Sequence, residues 1–103
     1  MDKLEIEQNI VKVLKNIYDP EIPVNVYDLG LIYEITVSDD ANVLITMTLT
    51  APNCPVADEL IENVNEGVQD ITGVKGVSII LTFEPPWDMS YLSEEAKLEL
   101  GML

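Results

Sequence analysis

The spacing of apolar residues changes along this chain, and that change limits the fold more than any other feature of the sequence. From Lys3 to Tyr18, Ile6, Ile10, Val13, Leu14 and Ile17 recur every three or four residues, the spacing of a helix with one buried stripe. Asp2 followed by Glu5 is a capping pair at its start, and Asp19-Pro20 is its stop. The segment from Glu21 to Asp28 holds a second proline and no period, which reads as an ordered loop. From Leu31 the period falls to two. Leu31, Tyr33, Ile35 and Val37 alternate with more polar neighbours, and after the turn Asp39-Asp40-Ala41-Asn42, Val43, Ile45, Met47 and Leu49 do the same. That is a hairpin with one greasy face and one face rich in threonine, including Thr36, Thr46, Thr48 and Thr50.

A break at 51–55 leads to a second helix. Ala57, Leu60, Ile61, Val64, Val68 and Ile71 keep helical spacing; Pro55 suits its first turn and Thr72-Gly73 its exit. A third strand sets Val77, Ile79, Leu81 and Phe83 on one face and stops at Glu84-Pro85-Pro86. A short capped helix starts at Ser93 and ends before Gly101. The order α-β-β-α-β-α, its last helix short, predicts a single α+β domain over residues 1–103. Its architecture is a two-layer sandwich, with both long helices on one face of a small three-stranded mixed sheet.

This topology gathers one rim. The start of the first strand lies beside the end of the second, and a crossover through the second helix makes the third strand parallel to the second, ending at the same edge. Asp19, Glu21, Asp28, Thr50, Cys54 and Trp87 are thereby brought toward one edge, a position where small α/β folds build sites. Each has a plainer role open to it. Asp19, Glu21 and Asp28 suit turns that need backbone amides satisfied, Thr50 suits a strand, Cys54 suits a core, and Trp87 suits packing at the sheet edge.

Composition removes several functions. The chain carries 19 Asp plus Glu against five basic residues, all lysine, with no His and a net charge of -14. Such a surface repels nucleic acid phosphates and anionic lipid. Without His or Arg there is no imidazole base and no bidentate phosphate clamp. One cysteine allows no disulfide within the chain. The opening residues carry no basic and apolar leader, no apolar run reaches membrane-spanning length, and the expected location is the cytoplasm. Cys54, the one soft ligand and strong nucleophile, precedes Pro55 at a helix start, where the helix dipole favours thiolate. Asp58 and Glu59 act in the opposite sense.

Three separated segments carry a family likeness. Asp19-Pro20-Glu21-Ile22-Pro23-Val24-Asn25-Val26-Tyr27-Asp28-Leu29-Gly30-Leu31-Ile32-Tyr33, Met47-Thr48-Leu49-Thr50-Ala51-Pro52-Asn53-Cys54-Pro55 and Phe83-Glu84-Pro85-Pro86-Trp87 resemble the SufT and PaaD-like family. The likeness extends to the ending Leu98-Glu99-Leu100-Gly101, with Ala51 and Asn53 standing where many relatives have threonine and glycine. It implies a compact α+β fold and a role in iron-sulfur cluster assembly, with Cys54 contacting thiol, iron or cluster transiently and Asp19, Glu21, Asp28 and Thr50 supporting it or binding the partner. The implied protein is an accessory factor, not an enzyme. It has no permanently bound cofactor and handles an iron-sulfur cluster only in passing, helping to transfer or target it to client apoproteins. The expected partners are assembly proteins and clients, with homodimerisation open and neither nucleic acid nor membrane involved. The alternative is a protein-protein adapter in enzyme-complex maturation, with Cys54 only structural. A thiol enzyme ranks third, since no His, Arg or second Cys stands ready to activate or resolve the nucleophile.

Overall fold

Asp2 caps the first helix as its sequence predicts, its carboxylate accepting the Glu5 amide at 2.8 Å. The computed structural model describes residues 2–19, 22–50 and 57–101. Over these the chain runs α1 (Lys3–Leu14), β1 (Ile32–Val37), β2 (Asn42–Met47), α2 (Ala57–Gln69), β3 (Gly76–Leu81), a 3₁₀ turn at Met89–Tyr91 and α3 (Glu94–Glu99). The predicted order and fold class hold. Pro20 and Pro55, expected to stop one helix and open the next, lie outside the described residues.

α1 ends four residues earlier than its apolar spacing suggests. The Asn16 and Ile17 amides bond three residues back, to Val13 and Leu14, which tightens the last turn. Tyr18 then leaves the helix to bridge Asn25, and the Val26 amide donates to the Ile17 carbonyl at 2.8 Å. The return of the loop onto the end of the helix, a tertiary contact, therefore sets this boundary.

The sheet order is β1-β2-β3, with β2 antiparallel to β1 and parallel to β3. Val43, Ile45 and Met47 of β2 oppose Val77, Ile79 and Leu81 of β3, so these residues share one face. α1 packs on β1 and α2, and α2 on β3. Ile6, Ile10 and Leu14 of α1 and Leu60, Val64 and Val68 of α2 meet Val37, Val43, Ile45 and Met47 in one core. Each such buried side chain contributes roughly 1.5–3 kcal/mol relative to exposure. Gly67 allows the two helices to approach, because a Cβ there would stand 2.9 Å from Val13 Cγ1. Only the helix-side face is covered by helices; on the other, Leu44 and Ile80 are 37% and 48% exposed.

Two strand assignments need correction. β1 does not keep strict alternation: Ile32 opposes Met47 while Glu34 opposes Thr46, which leaves Tyr33 as an extra residue in a β-bulge. Ile32 and Ile35 therefore pack against the core and Tyr33 does not join them. On β3, Val77 and Ile79 pack inward as expected, but Leu81 and Phe83 are exposed. Thr48, assigned to the open threonine face, is fully buried. Among the described residues, no helix is long and apolar enough to cross a membrane.

Candidate functional site

The start of β1 and the ends of β2 and β3 meet at the end of the sheet away from the hairpin turn, and this edge is the rim. There the Thr48 amide donates to the Leu31 carbonyl at 2.8 Å and the Thr82 amide to the Met47 carbonyl at 2.9 Å. Start of β1, end of β2 and end of β3 thus lie side by side, as the pairing rules require.

The loop before β1 is ordered by its own side chains. Asp19 is buried, and its Oδ1 accepts the Ile22 amide at 3.1 Å. Asn25 and Asp28 bond reciprocally: the Asp28 amide donates to Asn25 Oδ1 at 2.8 Å, and Asn25 Nδ2 donates to Asp28 Oδ2 at 2.7 Å. This pairing holds a turn in which the Leu29 amide reaches the Asn25 carbonyl. The Asp28 carbonyl accepts the Ser93 amide at 2.8 Å, which ties the loop to the cap of α3. Asp28 lines a polar hollow of about 240 Å³ with Lys15 and Tyr18 at the end of α1 and with Glu95 and Glu99 of α3. Both aspartates thus satisfy the turn role that their sequence context suggested, and Asp28 also joins α3. No hydrogen bond links Asp28 to Thr50, which sits half-buried beyond β2.

The segment after β3 folds back over the start of β1. Trp87 Nε1 donates to the Leu29 carbonyl at 2.7 Å, and its indole packs on the core, so Trp87 closes the sheet edge. The Tyr33 hydroxyl donates to the Pro85 carbonyl at 2.8 Å. Its ring meets Tyr91 edge to face, with centroids 5.9 Å apart at 82°. Gly30 makes this closure possible. Its φ is +81°, and a Cβ there would lie 2.5 Å from the Tyr91 carbonyl oxygen. Gly30, Ile32, Tyr33, Pro85 and Tyr91 line an open hollow of about 440 Å³.

Burial holds the Tyr33 phenol above its ordinary range, and Tyr91 adds to the shift; the nearby Thr48 hydroxyl acts weakly against it. Thr48 Oγ1 is buried and has no hydrogen-bond partner of ordinary geometry among the described residues. Among the described residues no group of three carboxylate or cysteine side chains is placed to hold a metal ion. Glu21 and Cys54, the remaining candidates from the sequence, lie outside the described residues.

The rim also contains residues that the sequence did not single out: Tyr33, Tyr91, Thr48 and Asn25. Asn25, three before Asp28, carried a usable signal, since this spacing suits a side-chain-bonded turn. Tyr33 looked like an ordinary strand residue, and Tyr91 lies 58 residues away from it along the chain; no local pattern joins them.

The chain matches, over residues 7–79, the family model described as iron-sulfur cluster assembly protein. It is 61% identical over 100 residues, 97% of this chain and 95% of the relative, to an Fe-S protein maturation auxiliary factor of Porphyromonas gingivalis. It is 30% identical to the Fe-S protein maturation auxiliary factor SufT of Staphylococcus aureus, over 84% of this chain and 98% of that one. The crystal structure of a domain of unknown function from Bacillus anthracis superposes with a TM-score of 0.89 at 30% identity, covering 97% of this chain and 95% of that one. The family model, the near-full-length relatives and the shared fold agree: the chain belongs to the iron-sulfur cluster assembly protein family.

Proposed function

We propose that this protein is an accessory factor in iron-sulfur cluster assembly that helps transfer or target clusters to client apoproteins. The observation that carries this reading is the 61% identity, over nearly the whole of both chains, to a maturation auxiliary factor. Its fold supports the same reading, because three strand ends and two loops converge on one edge, where a docked protein can reach all of them.

The chemistry follows from the residues available. An iron-sulfur cluster is commonly held by four thiolates, and this chain has one cysteine. The cluster is therefore cargo, held jointly: Cys54 supplies one thiolate and the client, a carrier protein or a second copy of the chain supplies the rest. In this reading Asp19, Glu21, Asp28 and Thr50 orient the partner or the cargo. The protein brings cluster and client together; bond making at iron stays with the cluster and its incoming thiolates.

Replacement of Cys54 by serine tests this reading. We expect the C54S protein to accumulate normally while cluster insertion into a client enzyme, read by activity and iron content, falls at least to a small fraction of normal. Unimpaired insertion at normal protein level would overturn the thiolate role and favour an adapter that works through its surface alone.

A further inference from the structure

We propose that the tyrosine corner at the rim is a receptor for an arginine side chain presented by a partner protein. This goes beyond cluster handling and does not depend on it. The hollow of about 440 Å³ is lined by Gly30, Ile32, Tyr33, Pro85 and Tyr91, so no charged side chain is present in its lining among the described residues. Two rings set at 82° form its wall. Tyr33 is fixed by its bond to Pro85, and Tyr91 remains 38% exposed. The site is thus preformed, with aromatic surface open to solvent, and a guanidinium stacks on such faces with its planar π-system.

Charge selects the occupant. Glu34 follows Tyr33, Glu84 precedes Pro85, and Asp88 lies three residues before Tyr91; all three are exposed. Lys3 and Lys75 stand at the opposite end of the sheet, Lys3 paired with Asp39 at 2.6 Å and Lys75 bonded through its amide to Ala41. Lys15, at the rim, is engaged elsewhere, 5.5 Å over the Tyr27 ring, and with a net charge of -14 and no arginine of its own the chain draws a cationic partner toward the corner. An apolar side chain would fill the hollow equally well but would gain nothing from the chain's net negative charge.

The test is an amide NMR titration of the full chain with the peptide acetyl-Gly-Arg-Gly-amide, alongside peptides carrying citrulline or norleucine in place of arginine. We expect saturable shifts centred on Gly30, Ile32, Tyr33 and Tyr91, and affinity about fivefold weaker for citrulline, the neutral isostere. Tyr91→Leu weakens the arginine peptide by a similar factor, and Tyr91→Phe retains it. Equal binding by the norleucine peptide would overturn the proposal, as would shifts scattered over the acidic surface. The peptide comparison on the unmodified protein keeps the test decisive if Tyr91→Leu fails to fold.

Discussion

The two ends of the sheet join the same strands by different means. At the turn end, closure is local: the Ser38 amide bonds Asn42, the Ala41 amide bonds Ser38, and the Ser38 hydroxyl accepts the Asn42 amide. At the rim end, closure comes from afar, with Trp87 reaching Leu29 and Tyr33 reaching Pro85 across 58 and 52 residues. The turn end is made of backbone and short polar side chains. The rim end is made of aromatic rings and a bulge, and it borders an open hollow. A closure built from distant pieces can be shaped for a partner, whereas one built mainly from the five residues Ser38–Asn42 is shaped by the turn.

That contrast can be broken most severely at glycine. Gly30→Ala at the rim drives a Cβ to within 2.5 Å of the Tyr91 carbonyl at a positive φ, and we expect a loss of about 3 kcal/mol from strain and overpacking combined. Gly76→Ala near the turn meets only Asn42 Oδ1 at 3.0 Å and costs about 1 kcal/mol or less. Urea denaturation of both variants checks the ranking; equal losses would show that the rim is not the tighter closure.

A smaller effect, of opposite sign, is expected at Thr48. Its hydroxyl is fully buried and unpartnered at the rim, so Thr48→Val, of similar shape, stabilises by about 1–2 kcal/mol. A decrease in the urea midpoint would mean that the hydroxyl is satisfied in solution.

The smallest effect lies at the turn. Ala41 holds a φ of +63°, which strains any residue with a Cβ, and Ala41→Gly should raise stability by about 0.5 kcal/mol after the entropy cost of glycine. Thermal melting resolves a change of this size in a chain of this length, and an unchanged midpoint would show that the turn absorbs the strain.

These differences also explain what could be read from the residues alone. Ile6, Ile10 and Leu14 announced their helix because local spacing and burial coincide there, and Val43, Ile45 and Met47 announced their strand for the same reason. Tyr33 was misassigned because its bulge answers to Pro85 and Tyr91, which no window around residue 33 contains. The end of α1 moved because Val26 and Asn25 capture Ile17 and Tyr18. At the candidate site, the turn chemistry of Asp19 and Asp28 was legible, but the link from Asp28 to Ser93 was not, since hydrogen-bond partners 65 residues apart leave no periodic trace.

Gly30 and Tyr91 impose an order of assembly. The two long helices and the three strands are all encoded before residue 82, yet the rim needs Trp87, Tyr91 and Ser93, which are synthesised after them. A nascent chain can bury most of its core while still tethered, but its rim stays unfinished until the segment carrying these residues is free to close a loop of more than fifty residues. A chain cut before Trp87 should therefore keep a sheet with secondary structure but lack a closed rim.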